Sequence, residues 1–197
     1  MTFATYEKSG RVATITLNRP ESRNAIATQQ DCDDLAGALW KANDDEAINA
    51  VILTGAGKSF CAGGDLKAIR ERSGIGPRAT PDGTRANYRR GVHSVIKALA
   101  EVEVATIAAI NGHAIGLGLD VGILCDMRLA GASAKMASSF VKVGIIPGDG
   151  GAWILTNAIG ASRAAELVLT GDTIDAEEAA RIGLVSRVVA DEALMDE

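Results

Sequence analysis

The sequence has little with which to build a metal site or a disulfide framework. It contains two histidines, His93 and His113, and three cysteines, Cys32, Cys61 and Cys125. The cysteines are odd in number and lack CxxC spacing, so neither disulfide bonds nor a zinc site is indicated. The histidines are too few and too isolated for metal binding. We therefore expect no metal site, and cysteines that are reduced and mostly buried.

Signals for membrane or nucleic-acid binding are also missing. No apolar run approaches the ~20 residues of a membrane-spanning helix, and the N-terminal MTFATYEKSG lacks the layout of a signal peptide. The formal net charge of −5 comes from mixed charges without long blocks, which does not favour a nucleic-acid surface. The sequence thus predicts a cytoplasmic protein that binds neither nucleic acid nor membrane.

The chain does have enough apolar residues for a core. Its 197 residues are 47% hydrophobic, which fits one domain over residues 1–197. Short apolar strands are expected over 50–55 and 104–110, and each leads through a glycine-rich loop into a helical pattern. Such strand–loop–helix units build α/β folds in which the loops at the strand ends carry the site.

The remaining pattern is mainly helical. Because residues 73–87 are rich in glycine, proline and threonine without an apolar period, we expect a mobile surface loop there. Further strands are predicted over 11–17 and 184–189, and further helices over 28–43, 88–101, 152–158, 162–169 and 176–182.

The two glycine loops are the candidate site. Glycines just before a helix permit a close backbone approach, and the free amides of a helix N-terminus attract negative charge. Two converging loops would hold one developing oxyanion, whereas a lone loop would more simply be a tight turn. Nucleotide sites fit poorly. GAGKS has Ile52 where a P-loop needs its first glycine, and Gly116, Gly118 and Gly122 are spaced GxGxxxG instead of GxGxxG.

Six segments of the chain are, in order, ITLNRPESRNA, VILTGAGKSFCAGGDLK, VATIAAINGHAIGLGLD, CDMRLA, GIIPGDGGAW and RAAELVLTGDTIDAEEAARIGLVSRVV. Together they resemble the signature segments of the crotonase superfamily, the enoyl-CoA hydratase/isomerase family. The likeness extends over nearly the whole chain and implies an α/β fold, a ClpP-like spiral of repeated ββα units. It also implies an enzyme whose substrate is an acyl-CoA thioester, with coenzyme A present only as part of that substrate and no other cofactor.

The resemblance assigns roles to particular residues. It places the backbone N–H groups of Gly64 and Leu117 in an oxyanion hole, although the family usually has glycine where this chain has Leu117. A backbone donor does not require a particular side chain. The residues implied in substrate binding are Asn24, Ala25, Ala62, Asp65, Leu66, Lys67 and Phe140.

The acid–base residues depart from the family's hydratases, which use two glutamates. Asp120 stands at the first place and Phe140 at the second, and a phenyl ring cannot transfer a proton. Asp120 is therefore the favoured proton carrier. Asp149 is a second candidate, one residue out of register with an aspartate used by some family isomerases and a dehalogenase. Structural alternatives are a dipole-stabilised first-turn residue for Asp120 and an N-cap for Asp149. The departures favour double-bond shifting over water addition.

Two other functions stay open on the sequence. One is a catalytically silent acyl-CoA binder that kept the fold. The other is a serine hydrolase using Ser138 or Ser139 with His113, although the sequence lacks a GxSxG elbow. The resemblance also implies a homotrimer or homohexamer and a C-terminal helical oligomerisation region, which we expect to be absent from this chain.

Overall fold

The computed structural model describes residues 2–197 and contains two sheets. A six-stranded sheet has the order β1-β2-β3-β5-β7-β10, and a four-stranded sheet has the order β4-β6-β8-β9. The strands are β1 Ala4–Ser9, β2 Val12–Leu17, β3 Ala50–Gly55, β4 Ser59–Cys61, β5 Ala105–Ile110, β6 His113–Ile115, β7 Met127–Gly131, β8 Lys135–Ala137, β9 Ile174–Asp175 and β10 Arg187–Val189.

Eight α-helices pack with these sheets in the described part of the chain. They are α1 Gln29–Asn43, α2 Leu66–Glu71, α3 Pro81–Arg90, α4 Val92–Glu101, α5 Leu117–Leu124, α6 Gly151–Ile159, α7 Ala161–Thr170 and α8 Ala176–Arg181. None of the helices within residues 2–197 is long and apolar enough to cross a membrane.

The architecture repeats a ββα unit. In β3-β4-α2, β5-β6-α5 and β7-β8-α6, the first strand joins the large sheet and the second joins the small one. Strands β3, β5 and β7 are parallel, as are β4, β6 and β8, so equivalent loops lie at the same edge of the small sheet. The predicted α/β fold of repeated ββα units is confirmed.

Helix α1 shows why the periodic segments were predictable. Thr28 accepts a hydrogen bond from the Asp31 backbone N–H, and the Asp31 side chain accepts one from the Thr28 backbone, which together form a capping box. Leu35 and Leu39 are fully buried one turn apart. The helix therefore begins and ends within one residue of the predicted 28–43.

The expectation of a loop over 73–87 is wrong in its second half. Helix α3 begins at Pro81, where proline suits the first helical position, and the Thr80 side chain caps it by accepting from the Gly83 backbone N–H. Helix α3 buries none of its residues, so it has no apolar period to reveal it. The predicted helix over 88–101 is also two helices, because the chain breaks at Gly91.

Candidate active site

The two glycine loops meet at one cavity of about 300 Å³, called here the central cavity. Gly64 follows β4, and Leu117 is the first residue of α5. Both residues line the cavity, together with Phe140 and Asp149. The loops that the sequence singled out are therefore brought to one place.

Glycine is required for the loops to approach each other. Gly63 has φ +86, and a Cβ there would collide with the carbonyl oxygen of Ile115 and lie 3.4 Å from the backbone nitrogen of Leu117. A Cβ on Gly118 would collide with the carbonyl of Cys61. The absence of side chains at these two positions lets the end of β4 pack directly on the start of α5.

The Leu117 N–H is a free donor. The first i→i−4 bond of α5 runs from the Asp120 N–H to the Gly116 carbonyl, at 3.0 Å. The amides before Asp120 therefore have no partner within the helix. The Leu117 N–H has no acceptor elsewhere in residues 2–197 and lies at the positive end of the helix dipole.

The Gly64 N–H is free for a different reason. Residues around it exchange hydrogen bonds with Ile26, from the Ile26 N–H to the Gly63 carbonyl and from the Asp65 N–H to the Ile26 carbonyl, both at 2.8 Å. This parallel bridge passes over the Gly64 N–H, which has no acceptor in the described chain. Two unpaired amides thus border the same cavity.

The two candidate aspartates occupy different depths. Asp149 lines the central cavity, and its Oδ1 accepts the Gly151 N–H at 3.2 Å. Asp120 is fully buried in α5 and does not line the cavity. Neither of its carboxyl oxygens accepts a hydrogen bond from residues 2–197. A Cβ on Gly151 would collide with the Asp120 carboxyl, so glycine there lets α6 pack against it.

Asp120 and Asp149 differ in how firmly each carboxyl holds its proton. Burial raises the pKa of Asp120 well above its usual value, and the charge of Asp149 raises it further. Burial also raises the pKa of Asp149, but hydrogen bonds from the Gly151 N–H and from the protonated Asp120 carboxyl oppose the rise, as does the nearby His93. Asp120 has no such donor, so it holds its proton more tightly and Asp149 ionises first.

Asp120→Asn is expected to change how stability depends on pH. Above the pKa of an unfolded aspartate, the unfolded chain releases a proton that the folded protein retains on Asp120, so the free energy of unfolding falls as pH rises. The variant lacks this fall. Between about pH 4 and pH 8, the melting temperature of the variant should rise relative to that of the unmodified protein as pH rises. A constant difference between the two proteins would contradict the assignment of the buried proton.

The remaining predicted site residues divide into two groups. Ala62, Leu66 and Phe140 line the central cavity beside the two amides. The Phe140 ring lies 3.5 Å from the position that a Cβ on Gly116 would take, so the ring packs over the turn into α5. Phe140 therefore gives the cavity an apolar wall.

Four predicted substrate-binding residues do not line the central cavity. Asn24 and Ala25 are buried, and the Asn24 amide donates to backbone carbonyls of β4 and accepts a backbone N–H. Asp65 caps α2 by accepting the Ala68 N–H at 2.7 Å. Lys67 is exposed on α2. The side chains of Asn24 and Asp65 therefore stabilise the loops through hydrogen bonds to the backbone.

Two residues near the site escaped the sequence reasoning. Tyr88 lines the central cavity, and its ring meets the His93 ring edge-on with centroids 6.0 Å apart. His93 Nε2 lies 2.7 Å from the Gly148 carbonyl, to which it donates because a carbonyl only accepts. His93 thereby holds the segment that precedes Asp149. No local pattern relates α3 and α4 to residue 148, so only tertiary structure shows this contact.

The described residues lack the arrangement that a serine hydrolase needs. Within residues 2–197, the buried Ser138 hydroxyl has no hydrogen-bond partner, and no hydrogen bond joins His113 to Ser138 or Ser139. A serine nucleophile needs a base within hydrogen-bond reach. Residues 2–197 contain no group of three or more His, Cys, Asp or Glu side chains that could hold a metal ion. The three cysteines are free and buried, and burial raises the pKa of each to about 12.

Comparison with known proteins agrees with the geometry. The sequence model of the family described as enoyl-CoA hydratase/isomerase matches residues 7–197. "Probable enoyl-CoA hydratase echA8" of Mycobacterium tuberculosis is 39% identical over 199 residues, covering 100% of this chain and 73% of that protein. The short-chain-enoyl-CoA hydratase of Clostridium acetobutylicum is 40% identical over 193 residues, covering 96% and 70%.

Solved structures are similar over the same extent. An enoyl-CoA hydratase/carnithine racemase from Magnetospirillum magneticum superposes with a TM-score of 0.91 at 30% identity, covering 100% of this chain and 71% of that one. An enoyl-CoA hydratase from Bacillus anthracis gives a TM-score of 0.88 at 33% identity, covering 98% and 72%. The chain belongs to the enoyl-CoA hydratase/isomerase family, and it is an acyl-CoA-processing enzyme of that type with the crotonase fold.

Proposed function

We propose that this enzyme shifts a carbon–carbon double bond in an enoyl-CoA thioester. The amides of Gly64 and Leu117 would hold the thioester oxygen, and Asp149 would move the proton. One observation carries the proposal. Asp149 is the single carboxyl-bearing residue, within residues 2–197, that lines the cavity which both amides also line.

The two amides suit the charge that this reaction develops. Removal of a proton from the carbon next to the thioester carbonyl makes an enolate, whose negative charge rests largely on the carbonyl oxygen. Gly64 and Leu117 offer unpaired N–H donors at a cavity with mostly apolar walls, where hydrogen bonds to a charge are stronger than in water. The donors act on the transition state because the charge is greater there than in the substrate.

Asp149 can carry the proton in both directions. Its ionised carboxyl takes a proton from C2 of a 3-enoyl-CoA, and the C–H electrons delocalise through the enolate to C4. The same carboxyl then returns the proton to C4, which leaves the double bond between C2 and C3. Burial raises the pKa of Asp149, and this makes it a stronger base than an exposed aspartate.

Asp120 and Phe140 explain why proton shifting is favoured over water addition. Hydration requires a group that deprotonates water in addition to the group that delivers a proton to C2. Phe140 offers no such group at the cavity wall, and the Asp120 carboxyl lies behind the wall with its proton retained. Asp120 instead acts on Asp149, whose carboxyl it neighbours.

Assembly and location stay predictions. A homotrimer or homohexamer follows from the family resemblance, and a cytoplasmic location from the sequence. Coenzyme A would enter the site only as part of the substrate, and the proposed proton shift uses no separate cofactor or metal.

The direct test follows ultraviolet absorbance with two thioesters. We expect 3-hexenoyl-CoA to gain the absorbance of a conjugated thioester, and crotonyl-CoA to keep its absorbance in water. Loss of conjugation from crotonyl-CoA without any gain from 3-hexenoyl-CoA would show hydration instead. If neither compound changes and dienoyl-CoA is also inert, the chain would be a silent acyl-CoA binder.

A further inference from the structure

A second cavity of about 630 Å³, called here the distal cavity, adjoins the central cavity. Tyr88, Ile145 and Gly148 line both of them and so form the shared wall. The rest of the distal cavity is built mainly by residues 72–85, from the end of α2 into the first half of α3. The distal cavity is therefore the space beyond this wall, in which Tyr88 packs against Gly148.

The distal cavity is lined by positive charge. Arg72, Arg78 and Arg85 contribute to its lining, and no aspartate or glutamate does. The side chains of Arg72 and Arg85 make no hydrogen bond and no ion pair within residues 2–197. Asp82, one turn before Arg85 on α3, is not within ion-pair distance of it. The chain as a whole carries a net charge of −5, so the positive charge of these arginines is a local feature of the distal cavity.

Arg78 is held in place without being neutralised. Its guanidinium donates to the Arg72 carbonyl at 3.0 Å, the Gly74 carbonyl at 2.7 Å and the Asn87 side-chain oxygen at 2.9 Å. All three acceptors are uncharged. A guanidinium has five N–H donors, so these bonds leave two for a ligand. The segment therefore presents a pre-positioned cation.

Three arginines around one space repel one another, and an anion between them would offset that repulsion. A planar carboxylate matches the forked donors of a guanidinium and forms charge-assisted hydrogen bonds with it. A methyl-terminated chain gains no such interaction. The shared chemistry is an anionic oxygen group, whose two possible sources are the far end of the acyl group and the phosphates of coenzyme A.

We infer that the distal cavity binds a carboxylate at the far end of the acyl group, so that this enzyme accepts CoA thioesters of dicarboxylic acids. The inference rests on the proposed function because it requires the thioester to lie in the central cavity. Gly148, which lines both cavities, directly precedes Asp149, the residue proposed to act on C2 and C4 of the acyl group. This adjacency favours the acyl source, because the far end of a long acyl group lies beyond those carbons.

Binding of saturated thioesters tests the inference without turnover. Calorimetry would compare monothioesters of diacids, from succinyl-CoA to sebacyl-CoA, with fatty acyl-CoA compounds of equal length. When the acyl group is long enough to reach the distal cavity, the diacid thioester should bind about tenfold more tightly than the fatty acyl-CoA of equal length. Because these compounds cannot isomerise, the result is independent of whether the enzyme shifts double bonds.

Arg85→Gln is the matched variant, with Arg89→Gln as control. Both arginines are exposed on α3, but only Arg85 lines the distal cavity. Arg85→Gln should weaken binding of the preferred diacid thioester about fivefold and leave its fatty acyl counterpart unchanged. Arg89→Gln should change neither. The Arg85 effect should persist with the diacid thioester of pantetheine, which lacks the phosphates of coenzyme A.

Three results would overturn the inference. One is equal binding of diacid and fatty thioesters at every length. The second is equal weakening of both by Arg85→Gln, combined with loss of the effect in the pantetheine compound, which would assign Arg85 to the phosphates. The third is an equal effect of Arg89→Gln, which would reduce the interaction to general surface charge.

Discussion

Asp149→Asn is expected to lower kcat for double-bond shifting by about 10²- to 10⁴-fold with little change in KM. The asparagine amide cannot take a proton from carbon, which is the role proposed for Asp149. Its side-chain oxygen can still accept the Gly151 N–H, so the start of α6 should be preserved. The measurement is the initial rate of conjugation of 3-hexenoyl-CoA, with circular dichroism to compare the folds.

Asp120→Asn is the matched control for this prediction. It makes the same chemical change at the carboxyl that lies behind the cavity wall, and it leaves Asp149 able to ionise. We expect a smaller loss of kcat, because Asp120 influences Asp149 without reaching the substrate. If Asp120→Asn abolished turnover while Asp149→Asn did not, Asp120 would be the proton carrier.

The fold was predictable wherever a local signal specified it. Strand β3 is a short apolar run that ends at a glycine loop, and α1 has both a capping residue and a buried stripe. The glycine loops were also identifiable, because their glycines stand between a strand and a helix in the sequence. The structure gives the reason for them, since a Cβ on Gly63 or Gly118 would collide with the backbone of the other loop. Helix α3 was missed because it buries no side chain and so has no periodicity.

The candidate site was predictable as a set of residues but not as an arrangement. The sequence favours Asp120 over Asp149 as the proton carrier, because the family resemblance puts an acid at the place of Asp120. Their depths depend on α6 packing through Gly151 onto the Asp120 carboxyl, which is a tertiary contact. Family position placed Asn24 near the substrate, whereas its amide bonds within the protein to β4. The distal cavity combines two segments that are more than fifty residues apart, so no local sequence pattern predicts it.

Leu117→Pro would remove one proposed oxyanion donor without removing the helix. Leu117 is the first residue of α5, where proline is well tolerated because its N–H has no helical partner. The preceding residue, Gly116, has φ +53 and no side chain to clash with the proline ring. The leucine side chain is buried, so its loss would by itself cost stability. Leu117→Ala shares that loss and keeps the N–H.

The rate of Leu117→Pro relative to Leu117→Ala therefore reports the main-chain donor alone. If the thioester oxygen sits between the nitrogens of residues 64 and 117, kcat of the proline variant should be about 10²- to 10³-fold below that of the alanine variant, with matching circular dichroism. Equal rates in two folded variants would mean that the amide of residue 117 does not hold the developing charge.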